Sequence, residues 1–189
     1  MQSPATISIP AVQKRSVLVE LLLIGGFALL TGIGAQIEIP HQPVPYTLQT
    51  VFVLLSGALL GKRNGAASQL LYLVAGIAGL PVFSGLGFGI ARLLGPTGGY
   101  LLAFPVAAFT VGYLTGEGTS FGRTLIAMAA GLFVIFSLGT LQLNLVLVHD
   151  MSKAIASGFL IFSWWDLLKL VAAATIARQL RGRIRPAGN

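Results

Sequence analysis

Residues 16–38 read SVLVELLLIGGFALLTGIGAQIE, with Glu20 the one charge before the closing glutamate at 38. As a helix this run would rise about 35 Å, enough to cross a hydrocarbon core about 30 Å thick. It is too long, and too poor in a cleavage-site pattern, for a removable secretory signal, so it reads as a membrane span. Further apolar runs follow at intervals, and the expected helices are 16–38, 47–60, 65–80, 98–114, 123–149 and 159–181. The second and third are short for full spans, a length that fits tilted or sheltered helices inside a bundle. The expectation is an all-α integral membrane protein with six transmembrane helices, a single membrane domain over 16–185. A polar, Pro-punctuated segment, 1–15, precedes it and is expected to be mobile.

Composition agrees with that reading. The chain has 189 residues, 55% of them hydrophobic and 9% charged, against about 25% charged in a soluble domain. With no cysteine, a disulfide framework, a thiol nucleophile and a thiolate metal site are excluded. The net charge of +7 would suggest nucleic acid in a soluble protein. Here the basic residues sit between and beyond the apolar runs, as topology signals do, and no nucleic-acid partner is expected.

With the N-terminus inside, the inner segments hold Lys14, Arg15, Lys62, Arg63, Arg123, Arg178, Arg181, Arg183 and Arg185, and the outer loops hold Arg92 and Lys153. That bias places both termini in the cytoplasm and makes the chain a multi-pass protein of the cell's inner (cytoplasmic) membrane. No internal repeat of the inverted kind found in many secondary transporters is visible.

Prolines and glycines mark the connections. Pro40-His41-Gln42-Pro43-Val44-Pro45 cannot be helical, because prolines remove donors and push their neighbours toward extended backbone. Gly61-Lys62-Arg63-Asn64-Gly65 reads as a tight polar turn. The connection 81–97, rich in glycine, is the longest loop, and such loops are more often functional than idle.

This topology brings polar groups from several helices to one outer level. Gln36 and Glu38 end helix one there, Thr47, Gln49 and Thr50 open helix two, and Arg92, Thr97 and Tyr100 flank the start of helix four. Gln142 and Asn144 lie near the outer end of helix five. Asp166 and Lys169 lie about 10 Å into helix six, one turn apart. Ionisable groups at that depth mark a functional site unless they pair for packing alone. Both readings of Asp166–Lys169 stand on the residues themselves.

Other features have plainer readings. Trp164 and Trp165 fit an interfacial belt, and Gln142 and Asn144 fit interhelical glue. Gly95-Pro96-Thr97-Gly98-Gly99 lacks the lysine of a phosphate loop and reads as a close-packed helix start. His41 and His149 are too isolated for a metal site. No nucleophile, base and orienting acid fall at usable spacing, which argues against an enzyme. On helix one, Ala28 and Gly32 form a small-xxx-small pair that fits packing within the bundle or contact with another protein.

Several segments together resemble a known family. Gly34-Ala35-Gln36-Ile37 followed by Pro43-Val44-Pro45-Tyr46-Thr47-Leu48-Gln49-Thr50 is similar to the first-loop signature of the BioY family, the biotin-specific substrate-binding (S) subunits of energy-coupling-factor (ECF) transporters. Ser68-Gln69-Leu70-Leu71-Tyr72 with Gly79-Leu80-Pro81-Val82-Phe83, then Leu94-Gly95-Pro96-Thr97-Gly98-Gly99-Tyr100-Leu101, then Asp166-Leu167-Leu168-Lys169, resemble the same family in order along the chain. Phe162-Ser163-Trp164-Trp165 departs from the family pattern, lacking a proline and a glycine before the aspartate.

The resemblance implies the S-component fold, with an outer vitamin site closed by the first loop and the loop before helix four. It implies that Asp166 and Lys169 line a biotin pocket, together with Gln49 and Thr97. By chemistry, Asp166 and Asn144 are expected at the ureido group and Lys169 or Arg92 at the carboxylate. Tyr46, Tyr72, Phe83 and Tyr100 are expected to wall the ring system. The Ala28–Gly32 face is expected to dock on a membrane coupling subunit, with two ATPase subunits supplying energy. No cofactor is expected beyond biotin as ligand. The alternatives are an S subunit for another vitamin, a small intramembrane enzyme with Asp166 as its acid, and a purely structural scaffold.

Overall fold

The structure, a computed structural model, describes residues 16–116, 120–160 and 164–184. The expectations for 1–15, for Phe162 and Ser163, and for the side chains of Arg183 and Arg185 lie outside the described residues.

Helix α1 spans Val17–Gln36. A two-residue hairpin, β1 Glu38–Ile39 and β2 Tyr46–Thr47, follows, with Glu38 opposite Thr47 and Ile39 opposite Tyr46. The proline-rich segment is thus folded back on itself at the end of α1. Helix α2, Gln49–Ile77, is broken at Gly61, whose φ of 82° and ψ of 178° are open to glycine and strained for other residues. The two arms run antiparallel. A Cβ on Gly65 would lie 2.8 Å from Gly57 Cα, Gln69 Nε2 donates to Ser56 Oγ at 3.1 Å, and Gln49 Nε2 donates to Tyr72 Oη at 2.6 Å. The arms are therefore the second and third expected helices. The turn between them is tighter than the sequence suggests, because Lys62, Arg63 and Asn64 are already helical.

The long connection carries its own structure, a 3₁₀ turn at Ser84–Leu86 and a short helix α3 at Ile90–Leu94. Helix α4 is Gly98–Thr115. Helix α5 is Phe121–Leu143 and runs on through a π turn, Asn144–Val148. The connection after it is helical too, α6 at Met151–Ala154 with a second π turn at Ile155–Phe159, where the sequence suggested a loop until 159. Helix α7 is Trp164–Ile184.

The first arm of α2 lies at the centre of the bundle. Val53, Leu54, Ala58 and Leu59 are almost fully buried against Ala107, Ala108 and Val111 of α4 and Leu132 of α5. A Cβ on Gly57 would collide with the Ala108 carbonyl, so α2 and α4 touch backbone to backbone. The periphery is the reverse of a soluble protein: Leu18, Leu22, Leu29, Ile126 and Phe133 are all more than half exposed. Such an apolar exterior needs lipid around it. α1, α4 and the continuous helix Phe121–Val148 are each long and apolar enough to cross a membrane.

The two ends differ in charge. One holds the Gly61 turn, Lys62, Arg63, Arg123, Arg178 and Arg181, with Arg123 Nε donating to Leu114 O at 2.8 Å and Arg181 donating to Gly116 O. The other end, about 18 Å away along the first arm of α2, carries the hairpin and the 78–97 connection. The inner and outer levels drawn from sequence correspond to these two ends.

Candidate functional site

A cavity of about 160 Å³ opens at the loop end. The first loop contributes Pro43, Val44, Pro45, Tyr46 and Thr47, and α2 adds Gln49 and Thr50. Phe83, Ser84, Arg92 and Thr97 come from the 78–97 connection; Tyr100, Leu101 and Phe104 from α4; Ile135 and Phe136 from α5; and Asp166 and Lys169 from α7.

Side-chain amides hold the two loops over this space. Gln36 donates to Phe83 O at 3.0 Å and accepts from Leu86 N at 3.1 Å, and Ser84 Oγ donates to Glu38. Gln142 Nε2 donates to Leu93 O at 2.7 Å and to Gly95 O at 2.8 Å, fixing the connection ahead of α4. Gly76 is small for a specific reason: a Cβ there would run into the Phe83 ring, which lies on the helix.

The polar corner centres on α7. Asp166 is 2% exposed, and its Oδ1 lies 2.6 Å from Lys169 Nζ. Lys169 also donates to Thr47 O at 3.2 Å, tying α7 to the first loop. Asp166 Oδ2 and Thr50 Oγ1 are buried from solvent without a hydrogen-bond partner. Two unpaired buried polar atoms on residues that line one cavity are costly in the free protein, and their obvious complement is a ligand with its own donors and acceptors.

The apolar wall is aromatic. Tyr100 meets Phe136 edge to face at 6.3 Å, while its hydroxyl donates to Gly158 O at 2.9 Å. Tyr46 sits 5.1 Å from the His41 ring. Arg92 is exposed at the rim, donating to Ser84 O at 3.1 Å, and has no ion pair among the described residues.

The cavity therefore gathers Asp166, Lys169, Arg92, Tyr100, Thr97, Gln49, Tyr46 and Phe83 of the sequence-derived set. Two residues fall elsewhere. Tyr72 stands behind the wall, packed on Phe83 and Phe104, and its hydroxyl links Gln49 to Val82 O. Asn144 is eight residues beyond Phe136, about 12 Å further along the helix, past the part of α5 that reaches the cavity. Gln49 lines the space, but its amide is committed to Thr47 Oγ1 and Tyr72 Oη.

Ala28 and Gly32 are buried within the chain. A Cβ on Gly32 would meet Val82 at 3.4 Å and Tyr72 at 3.9 Å, ordinary contact distances, so this position of α1 faces the second arm of α2 and the connection after it. Trp164 and Trp165 stack at 4.4 Å and stay largely exposed.

The sequence assigned no role to several wall residues. Thr50 was visible as a polar group at the right level, yet its open hydrogen-bonding capacity shows in the structure alone. Leu101, Phe104, Ile135 and Phe136 carry no signal, since an apolar residue in a membrane helix looks the same facing lipid or ligand. The Thr47 carbonyl is backbone, and nothing in the sequence marks it.

Fold and cavity define a multi-pass membrane protein with a small-solute site closed by loops at one end of a helical bundle. The BioY family profile matches residues 6–186, and the chain belongs to that family. It is 46% identical over 162 residues to the biotin transporter BioY of Thermotoga maritima, an alignment covering 86% of this chain and 95% of that protein. To the probable biotin transporter BioY of Pyrococcus horikoshii it is 42% identical over 163 residues, covering 86% and 96%. A crystal structure of the S-component for biotin from an ECF-type ABC transporter superposes with a TM-score of 0.80 at 26% identity, covering 87% of this chain and 91% of that one. The fold is that of an S-component, and the chain is a transport subunit, not an enzyme.

Proposed function

We propose that this chain captures biotin at the loop end of the bundle, on the outer side of the cytoplasmic membrane, for uptake driven by an ATPase-coupled energising module. The observation that carries the reading is the cavity's polar lining, in which Asp166 and Thr50 each carry a buried, unpaired oxygen and Lys169 supplies a cation. A cyclic urea supplies N–H donors and a C=O acceptor to such a lining. The thioether ring then lies against Tyr100 and Phe136.

Lys169 already holds Asp166, so a second carboxylate beside it would meet the aspartate's charge. The ligand carboxylate therefore goes to Arg92 at the rim, and Lys169 serves the head group. The basic end of the bundle faces the cytoplasm by the positive-inside bias. A membrane coupling subunit and two ATPase subunits complete the importer, consistent with the ECF context of the structural relative.

Calorimetric titration of biotin into protein purified in detergent from biotin-depleted cells tests this. Tight one-to-one binding, lost in Asp166→Asn, supports it. Absence of binding by a folded sample, or binding of another vitamin in biotin's place, would overturn it.

A further inference from the structure

Threonine in a helix usually satisfies its hydroxyl by donating to the carbonyl four residues back. Thr31, Thr110, Thr115, Thr124 and Thr175 all do so here. Thr50 is placed where that bond is unavailable. It is the second residue of α2, and the residue four before it, Tyr46, belongs to β2. Its hydroxyl does not serve as the helix cap either, since the N-cap position is Leu48 and no side chain caps α2 there. Thr50 Oγ1 is thus buried and unpaired, and Thr50 is one of the residues lining the cavity that Asp166 and Lys169 also line.

We infer that Thr50 is a specificity-determining partner of the ligand's ureido group, an inference that rests on the biotin reading above. Asp166 Oδ2 can only accept. Lys169 can only donate, and two of its three hydrogens are directed at Asp166 and Thr47. A cyclic urea has two N–H donors and one carbonyl, so these groups leave part of it unmet. A hydroxyl both donates and accepts, which fits the remainder. Gln49, the neighbouring residue with more polar atoms, is already bonded on both its amide oxygen and nitrogen.

The test is calorimetric titration of wild type, Thr50→Val and Thr50→Ser with biotin and with biotin amide, whose head is intact and whose carboxylate is gone. Thr50→Val keeps the side chain's shape, and Thr50→Ser keeps the hydroxyl. The valine variant should raise Kd about tenfold for both ligands, with serine restoring most of the affinity. Melting temperatures in detergent confirm that each variant is folded, and Thr50→Ala replaces the valine variant if that one is not.

A valine Kd within about twofold of wild type, or a penalty that disappears with biotin amide, overturns the role while leaving biotin binding intact. The second result would place Thr50 at the carboxylate end. Failure of the wild type to bind biotin overturns the role and the function together.

Discussion

Replacing Lys169 with methionine separates a binding role for the Asp166–Lys169 pair from a packing role. The lysine side chain is 14% exposed and the aspartate side chain 3%, so solvent screens the interaction weakly. Removing Nζ deletes a 2.6 Å ion pair and a 3.2 Å hydrogen bond to Thr47 O, and leaves a buried carboxylate without a counter-charge. Breaking one side of a buried pair costs about 3–5 kcal/mol, and the lost loop tie adds about 0.5–1.5 kcal/mol. The single variant should therefore melt well below wild type in detergent. Asp166→Asn combined with Lys169→Met removes both charges and should recover most of that stability, because near-isosteric neutral pairs are tolerated in place of buried ions.

Affinity distinguishes the two roles. If the pair engages the urea, the double variant lacks a charged acceptor and a charged donor, each contributing about 1.5–3 kcal/mol. Its Kd for biotin should then stay a hundredfold or more above wild type, at roughly tenfold per 1.4 kcal/mol. Thermal melts and calorimetry on the three proteins decide it. A double variant that is both stable and wild-type in affinity would refute the assignment and reduce the pair to a packing device.

Arg92 lies at an exposed rim, where an ion pair contributes at most about 1 kcal/mol. Arg92→Gln should raise the biotin Kd by about fivefold or less and flatten its salt dependence, and it should leave biotin amide binding unchanged. Tyr72→Phe removes the hydroxyl between Gln49 and Val82 O, leaving buried polar groups unmet at about 1–3 kcal/mol. Its melting temperature should fall while affinity changes little, the pattern of a residue behind the wall. Gly76→Ala pushes a methyl into the Phe83 ring and should destabilise by about 1–3 kcal/mol. A smaller side chain at 83, as in Gly76→Ala/Phe83→Leu, should restore part of the melting temperature, whereas an equal loss in both proteins would refute the clash with the Phe83 ring as its cause.

What the sequence could and could not convey follows from how each feature is encoded. Span boundaries depend on long apolar runs and on proline and glycine, which act locally, so the ends of α4 and the two arms of α2 were legible to within a few residues. The sharpness of the Gly61 break was not, because one left-handed glycine and a five-residue polar turn look alike in sequence. The polar level was legible because polar side chains in lipid are rare enough that their helical depth is informative. Depth, however, assumes regular helices of known start. Counting from a helix end puts Asn144 at the level of Asp166, whereas the cavity's contact with α5 stops at Phe136, about two turns earlier.

The face that a helix presents is harder still. In a soluble protein one apolar stripe identifies the buried side. α1 is apolar all round, so Ala28 and Gly32 can be read toward a partner or toward the bundle, and only the structure shows that a Cβ on Gly32 would meet Tyr72 and Val82. The same argument explains Gln49 and Thr50. Both are polar, adjacent and at the right depth, and their difference lies in which hydrogen bonds their neighbours have already taken.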